Sequence, residues 1–299
     1  MHKKLQKKIF GTLQTFPTSF ATMYVKLTKK FITQNLMPHL SSTHLGRKPK
    51  VKLWRMVKAI IHRLKTGIQW RELPLKEYFG FKIKSWKTVY YHFNKWSKDG
   101  SWERLWTALL AANKRTVDMS SVQFDGSHTR ARMGGQAVGY QARKSAKTTN
   151  MLFLTDKNGI PLACSQPIAG NHHDLFEIKN NFDFIRQLLA KSGIPAEGLV
   201  INADAGFDSR TFRDYCDDLE MLANIDINKR NSKNPDCEYF VDPELYKDRF
   251  SVERTNAWID GFKSLYVRYE TSSRNWLSSH FLAFSLILLR NKKTNPNLF

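Results

Sequence analysis

The stretch Leu199-Val200-Ile201-Asn202-Ala203-Asp204-Ala205-Gly206-Phe207-Asp208 decides how the chain is read. Residues 199–203 predict a buried strand, and Asp204 follows it directly at a turn. A second such place lies upstream, where Val122-Gln123-Phe124 runs into Asp125-Gly126. Side chains at strand ends project from the sheet edge on rigid backbone, a good mount for metal ligands. Between these two places the pattern predicts strands at 151–155 and 161–168, joined by the hairpin turn Asp156-Lys157-Asn158-Gly159. A helix over 174–191 follows, capped by Asp174 and ended by Ser192-Gly193. Beyond Asp204 come a helix from Ser209, a strand at 221–225, a polar connection over 226–245 and a long helix starting near Tyr246. Three strands and then alternating helix and strand predict a mixed α/β sheet.

The chain has 299 residues, with 48 Lys+Arg against 26 Asp+Glu and a net charge of +22. Its 41% apolar and 13% aromatic content excludes wholesale disorder. Residues 1–120 carry 25 basic and 5 acidic side chains, whereas the remainder carries 23 and 21. The first part is suited to a polyanion, either nucleic acid or an anionic membrane surface. Phe281–Leu289 is far shorter than the ~20 residues that cross a bilayer and reads as a buried helix. The basic start lacks a clean apolar segment, and no basic amphipathic helix offers a lipid-facing edge. Three cysteines without a C-x-x-C pair fit a reducing compartment. These points together predict a cytoplasmic, nucleoid-associated protein with DNA as its partner and no membrane.

Residues 1–45 are basic and weakly patterned, and read as a loosely ordered arm. From there to about residue 117 three short helices are predicted. Leu53, Met56/Val57, Ile60/Ile61 and Leu64 define the first, with Gly67 as its stop and Lys52, Arg55, Lys58, Arg63 and Lys65 over the rest of its surface. After a turn through Pro74 and Gly80, Ser85 caps the second at 86–97, and Ser101 caps the third, which runs to about Asn113. With Lys84, Lys87 and Lys95 on it, this segment suggests a helix-turn-helix-like DNA-binding module.

A third acid, Glu253, lies in a predicted helix. Three carboxylates meeting in one place would repel each other unless a divalent cation held them, and oxygen ligands favour Mg²⁺ or Mn²⁺. Two such ions can activate a water or a 3′-OH in phosphodiester displacement. Arg130, Arg132, Arg143, Lys144 and Lys147 run between the first two predicted strands, loosened by Gly134, Gly135 and Gly139, and read as a mobile basic loop gripping DNA. Of His128, His172 and His173, one is expected to support the site as a hydrogen-bond donor or to shape the strand end, in preference to ligating a metal. Trp258, Trp276, Cys216 and Cys237 read as structural or inert.

Residues 46–290 resemble bacterial insertion-sequence transposases of the DDE class, the IS-five-like group. The motifs are Thr66-Gly-Ile-Gln-Trp-Arg-Glu-Leu-Pro74, Trp86-Lys-Thr-Val-Tyr90, Asp125-Gly-Ser-His-Thr-Arg130, Gly170-Asn-His-His-Asp174, Ala203-Asp-Ala-Gly-Phe-Asp-Ser209 and the Y-x2-R-x3-E spacing of Tyr246, Arg249 and Glu253. The resemblance implies an RNase H-like catalytic domain over 118–299 behind a helical DNA-binding domain at 46–117. Asp125, Asp204 and Glu253 become its metal-binding triad for two ions, with Asp208 as a nearby alternative to Asp204. It also implies binding of terminal inverted repeats, joining of 3′-OH ends to target DNA, and a homodimer or larger assembly on double-stranded DNA. The family pattern continues with a lysine seven residues after the Glu, where this chain has Asp260. Lys263 and Arg254 are the candidates to take over that phosphate contact, the alternative being that Asp260 is simply solvated or paired with a nearby cation; Arg249 is also expected near DNA. Two competing expectations are a decayed copy that only binds DNA and an RNase H-like nuclease that cuts without joining.

Overall fold

The computed structural model describes residues 27–42, 51–228, 239 and 241–294. The helical part begins earlier than expected, with α1 (Lys29–Asn35), capped by Thr28, whose Oγ1 accepts the Phe31 N–H at 3.1 Å. Phe31, Ile32, Leu36 and Leu40 are buried, so residues 27–42 of the arm expected at 1–45 pack on the core. A seven-residue helix is too short to show a period in sequence, so pattern alone does not reveal it. Residues 1–26 and 43–50 lie outside the described residues.

α2 (Leu53–Thr66) ends at Gly67 in the left-handed conformation, φ 72°, as the sequence predicts. The turn expected near Pro74 holds one further helical turn, α3 (Leu75–Phe79). α4 (Trp86–Lys98) is capped by Ser85, whose hydroxyl accepts the Lys87 N–H at 3.3 Å. α5 (Ser101–Ala112) differs in its cap: Ser101 is its first residue, and Asp99 Oδ1 accepts the Ser101 N–H at 3.0 Å. Arg63, expected at the surface, is buried and lies 4.9 Å over the Trp70 ring. Trp96, Trp102 and Trp106 are fully buried.

The rest is one mixed sheet with helices on it. β1 (Val122–Ala131) runs antiparallel to β3 (Ala146–Asp156). The far edge of β3 is covered in turn by β2 (Gly139–Gln141), β5 (Ile168–Ala169) and β4 (Pro161–Cys164). α6 (Ile178–Lys191) leads to β6 (Val200–Ala203), parallel to β1, and α7 (Arg210–Asp218) leads to β7 (Leu222–Ile225), parallel to β6. An antiparallel set of three continued by two parallel strands is the RNase H-like arrangement, so the expected fold class holds.

The helix expected from Tyr246 is broken into α8 (Pro243–Tyr246), a 3-10 turn (Lys247–Ser251) and α9 (Val252–Asp260). Then α10 (Lys263–Tyr266) and β8 (Val267–Arg268) precede α11 (Ser273–Thr294). α11 packs on α5 and carries the buried apolar run Phe281–Leu289. No described helix is long and apolar enough to cross a membrane.

Candidate active site

The pairing of β1 leaves a notch. On the edge away from β3, β6 pairs with Val122–Phe124 and β8 pairs with Arg130–Ala131, so residues 125–129 have no strand partner on that side. Asp125 is the first residue of the notch. It therefore sits inside β1, opposite Phe153, and not at a strand end as the sequence suggested. Asp204 follows directly on β6, where Phe124 pairs with Ala203 in the last rung. One residue beyond that rung the register puts Asp125 and Asp204 side by side.

Glu253 arrives from a third direction, in the first turn of α9, which packs on β1 and β3. Two attachments hold this segment in place. A buried amide ladder crosses the sheet: Asn202 Nδ2 donates to Gln123 Oε1 (2.9 Å), and Asn224 Nδ2 donates to Asn202 Oδ1 (2.6 Å). Its outer valences tie down the chain before α9, through Asn202 to the Leu245 carbonyl (2.8 Å) and through the Asp242 N–H to Asn224 Oδ1 (2.7 Å). Three polar residues on adjacent strands, each nearly inaccessible, require such mutual satisfaction. The second attachment is the β3–β4 turn, whose Asn158 and Gly159 carbonyls accept from Arg254 and Thr255.

Electrostatically the acids act as a group. Burial, reinforced by the negative charges of Asp204, Asp174 and Glu253, pushes the Asp125 carboxyl up to about 7 against the opposing Gly126 N–H. Among the described residues, no three His, Cys, Asp or Glu side chains stand close enough together to clasp an ion. The donor chemistry nevertheless suits a hard cation: all three are carboxylates, half-buried at Asp125 and Asp204 and solvent-facing at Glu253.

Asp174 is the residue that sequence reasoning misplaced. It does not cap α6, which starts at Ile178 behind Glu177 in the left-handed conformation, φ 47°. Its carboxylate instead lies against the Cα of Gly126, accepts a hydrogen bond from Asn150 Nδ2 (2.6 Å), and is 4.0 Å from His128 Nε2. The signal lay in Asn150, an inaccessible amide directly before the apolar stretch 151–154 of β3. The other ring nitrogen of His128, Nδ1, lies 3.2 Å from Thr148 Oγ1, and burial lowers the pKa of the imidazole. His172 stacks on Phe176 and His173 accepts the Leu175 N–H, so neither points to a metal. Asp208 is committed elsewhere, to the buried Arg213 at 2.9 Å and the Asn228 N–H at 2.7 Å.

The basic residues divide. Lys52, Arg55, Lys84 and Lys87 are exposed, and Lys58 and Lys95 half-buried. The expected mobile loop is largely built into the sheet: Arg130 belongs to β1, Arg143 and Lys144 to a 3-10 turn after β2, and Lys147 to β3. Residues 132–138 form a loop, gripped by the buried Arg268 through the Gln136 carbonyl at 2.8 Å and the Ala137 carbonyl, while Arg268 also donates to Thr149 on β3. Arg132 is exposed there. Arg249 lies 4.6 Å over the Phe250 ring. Cys164, Cys216 and Trp276 are buried, while Cys237 lies outside the described residues.

An RNase H-like sheet with carboxylates from three elements around its central strand defines a nuclease-type domain. The chain belongs to the DDE superfamily endonucleases, whose family model matches residues 117–288. A second model, described as "Putative transposase of IS4/5 family", matches residues 32–106, the helical part. Two curated relatives come from Burkholderia cepacia. The "Insertion element IS402 uncharacterized 16.2 kDa protein" is 34% identical over 27% of this chain and 53% of its own length. The "Putative transposase for insertion sequence element IS402" is 32% identical over 40% of this chain and 52% of its own length. The chain thus spans about half the length of the curated relatives it matches. Among solved structures, a Mos1 transposase paired-end complex aligns over 76% of this chain and 81% of that one, with 10% identity and a TM-score of 0.27. A score that low adds no weight to the fold assignment. Members of the superfamily use divalent metal ions.

Proposed function

We propose that the chain is a transposase of a bacterial insertion sequence, with its reaction centre in the notch of β1. The observation that carries this reading is the register that sets Asp125 beside Asp204, with Glu253 close enough to bias the same carboxyl. Asp125, Asp204 and Glu253 would hold divalent cations, Mg²⁺ or Mn²⁺, two in number. Bound there, the metal supplies activation of water or a 3′-OH and stabilisation of the leaving oxygen.

The chain's own residues do the rest. Asp125 within β1 and Asp204 directly after β6 stand on backbone fixed by the sheet, so little backbone ordering remains on loading. α4 supplies a face for duplex DNA. Lys87, Tyr91, Lys95 and Lys98 fall within about 80° of one another around the helix, Tyr91 is 63% exposed, and no acid occurs between Trp86 and Lys98. α5, by contrast, is buried along most of its length. This makes α4 the helix that meets the element ends, helped by Lys52, Arg55, Lys58 and Lys84. The domain boundaries that go with this reading are a DNA-binding part at 46–117 and a catalytic part at 118–299, although their cores are continuous. Cutting two ends together calls for at least a homodimer on DNA, and the nucleoid is the expected location.

The test is cleavage of a duplex made from the DNA flanking the coding segment, with Mg²⁺. Wild type is expected to cut at the segment boundary, and Asp125→Ala, Asp204→Ala and Glu253→Ala each to lose about a hundred- to a thousandfold, the scale of removing one transition-state charge contact. Undiminished cutting by any one variant removes that residue from the centre.

A further inference from the structure

Lys144 closes the 3-10 turn Ala142–Lys144 between β2 and β3. The turn is held at both ends. Gln141 Oε1 accepts the Arg143 N–H (3.3 Å), and Ser145, left-handed at φ 45°, donates its N–H to the Ala142 carbonyl (3.0 Å). From this base the Lys144 ammonium reaches back to β1 and donates to the His128 carbonyl at 2.7 Å. His128 lies in the notch, three residues beyond Asp125, and its ring stands 4.0 Å from Asp174. The ammonium feels Asp260 and Asp174 as its attracting charges, and Arg130 and Arg143 as its repelling ones. It therefore sits where the acidic centre meets the basic turn.

The two cations that α9 and α10 were expected to offer are engaged elsewhere. The Arg254 guanidinium donates to the Asn158 carbonyl at 2.9 Å. Lys263 packs its Cβ near Gly67 and holds its ammonium 5.2 Å over the Tyr266 ring. Lys144 differs in where it is held. All three cations are exposed and bond neutral carbonyls, but the carbonyl that Lys144 bonds, that of His128, lies in the notch itself, and Lys144 forms no salt bridge among the described residues. An ammonium has three donors, so its charge and its remaining protons stay available to an anion. A DNA strand entering the notch would be repelled by Asp174 and Asp260, and a pinned cation among them offsets that repulsion while fixing the strand's register.

We infer that Lys144 binds the DNA phosphate adjacent to the one that is cut, from the β2–β3 turn and in place of a cation on α9. This rests on the proposed function, and the experiment separates the two. Duplexes made from the flanking DNA carry a single neutral methylphosphonate at each position around the cleavage site. Wild type, Lys144→Ala, Lys144→Arg, Arg254→Ala and Lys263→Ala are compared in single-turnover cleavage with Mg²⁺, and in metal-free binding by fluorescence anisotropy. In wild type, one flanking methylphosphonate should cost about tenfold, the scale of one charge-assisted hydrogen bond. In Lys144→Ala that same substitution should cost nothing further, Lys144→Arg should recover most of the sensitivity, and the other two variants should keep it. An Ala variant still sensitive at every position overturns the inference, whether read in cleavage or in binding. Wild type that binds but never cuts overturns the parent reading alone, since the binding arm still reports on Lys144.

Discussion

Gly126→Ala places a methyl group where the Asp174 carboxylate now rests. The new Cβ would stand 2.7 Å from Asp174 Cγ, with Oδ1 nearer still. Neither partner yields freely, because Gly126 is locked into β1 opposite Leu152 and Asp174 is held by Asn150. The backbone of Gly126 is not left-handed, so the cost is purely one of space. Overpacking of this kind costs about 1–3 kcal/mol, or about 2–6 °C in Tm for a chain of this size. Asp174→Ala should separately cost about 1–3 kcal/mol by stranding the inaccessible Asn150 amide. The two penalties should not add. With the carboxylate gone, the methyl added at position 126 fits the vacated space, and the double variant should melt close to Asp174→Ala alone. Thermal or urea unfolding of the four proteins measures this coupling. Additive penalties would mean that Asp174 does not lie over Gly126, and the placement of a fourth acid beside Asp125 would fall with it.

Three other perturbations have definite outcomes. Arg213→Met should lose about 3–5 kcal/mol of unfolding free energy, because it leaves Asp208 without its buried partner and the Ile225 carbonyl without its donor at 2.8 Å; a loss below about 1 kcal/mol would show the pair to be solvated. His280 is buried among Trp276, Phe153 and Phe284, and burial lowers its pKa to about 4. A depressed folded pKa means stability is intact above about 6.5 and is lost as pH falls toward 4. His280→Gln should flatten that slope in pH-dependent melting, and an unchanged slope would assign it to other groups. On α4, Lys87→Ala and Lys98→Ala should each reduce the salt slope of DNA binding by about 0.9, measured by anisotropy across a salt series; unaltered slopes would move the DNA face off this helix.

Much of the proposed centre is legible in the sequence where its residues sit in strong local pattern. Asp204 follows an apolar strand that pairs on both sides, and burial on both faces leaves an unmistakable apolar run. Asp125 was harder to place. β1 continues past Phe124 as Asp125, Gly126, Ser127, His128 and Thr129, half-buried and paired on one side only, so its sequence reads as loop while its backbone stays in the sheet. Asp174 imitates a helix cap in sequence, and only the three-dimensional approach of Gly126 reveals its place. Glu253 enters the proposed centre through the spacing of Tyr246, Arg249 and Glu253 that the resemblance supplies, yet the continuous helix expected there is broken at Ser251 because the amide ladder and the β3–β4 turn pin the chain on either side. Such long-range ties leave no periodic trace. Lys144 likewise shows in sequence as one of several cations, and its hydrogen bond to His128 depends on the β2–β3 turn.

Joining, as distinct from cutting, bears most directly on the account. Purified full-length chain would be incubated with Mg²⁺, a labelled duplex ending in the 3′-OH of the flanking DNA, and a supercoiled plasmid. The account predicts labelled plasmid from wild type and none from Asp125→Ala, Asp204→Ala or Glu253→Ala. Cut duplex without any joined plasmid, or joining that survives loss of any of the three acids, would contradict it.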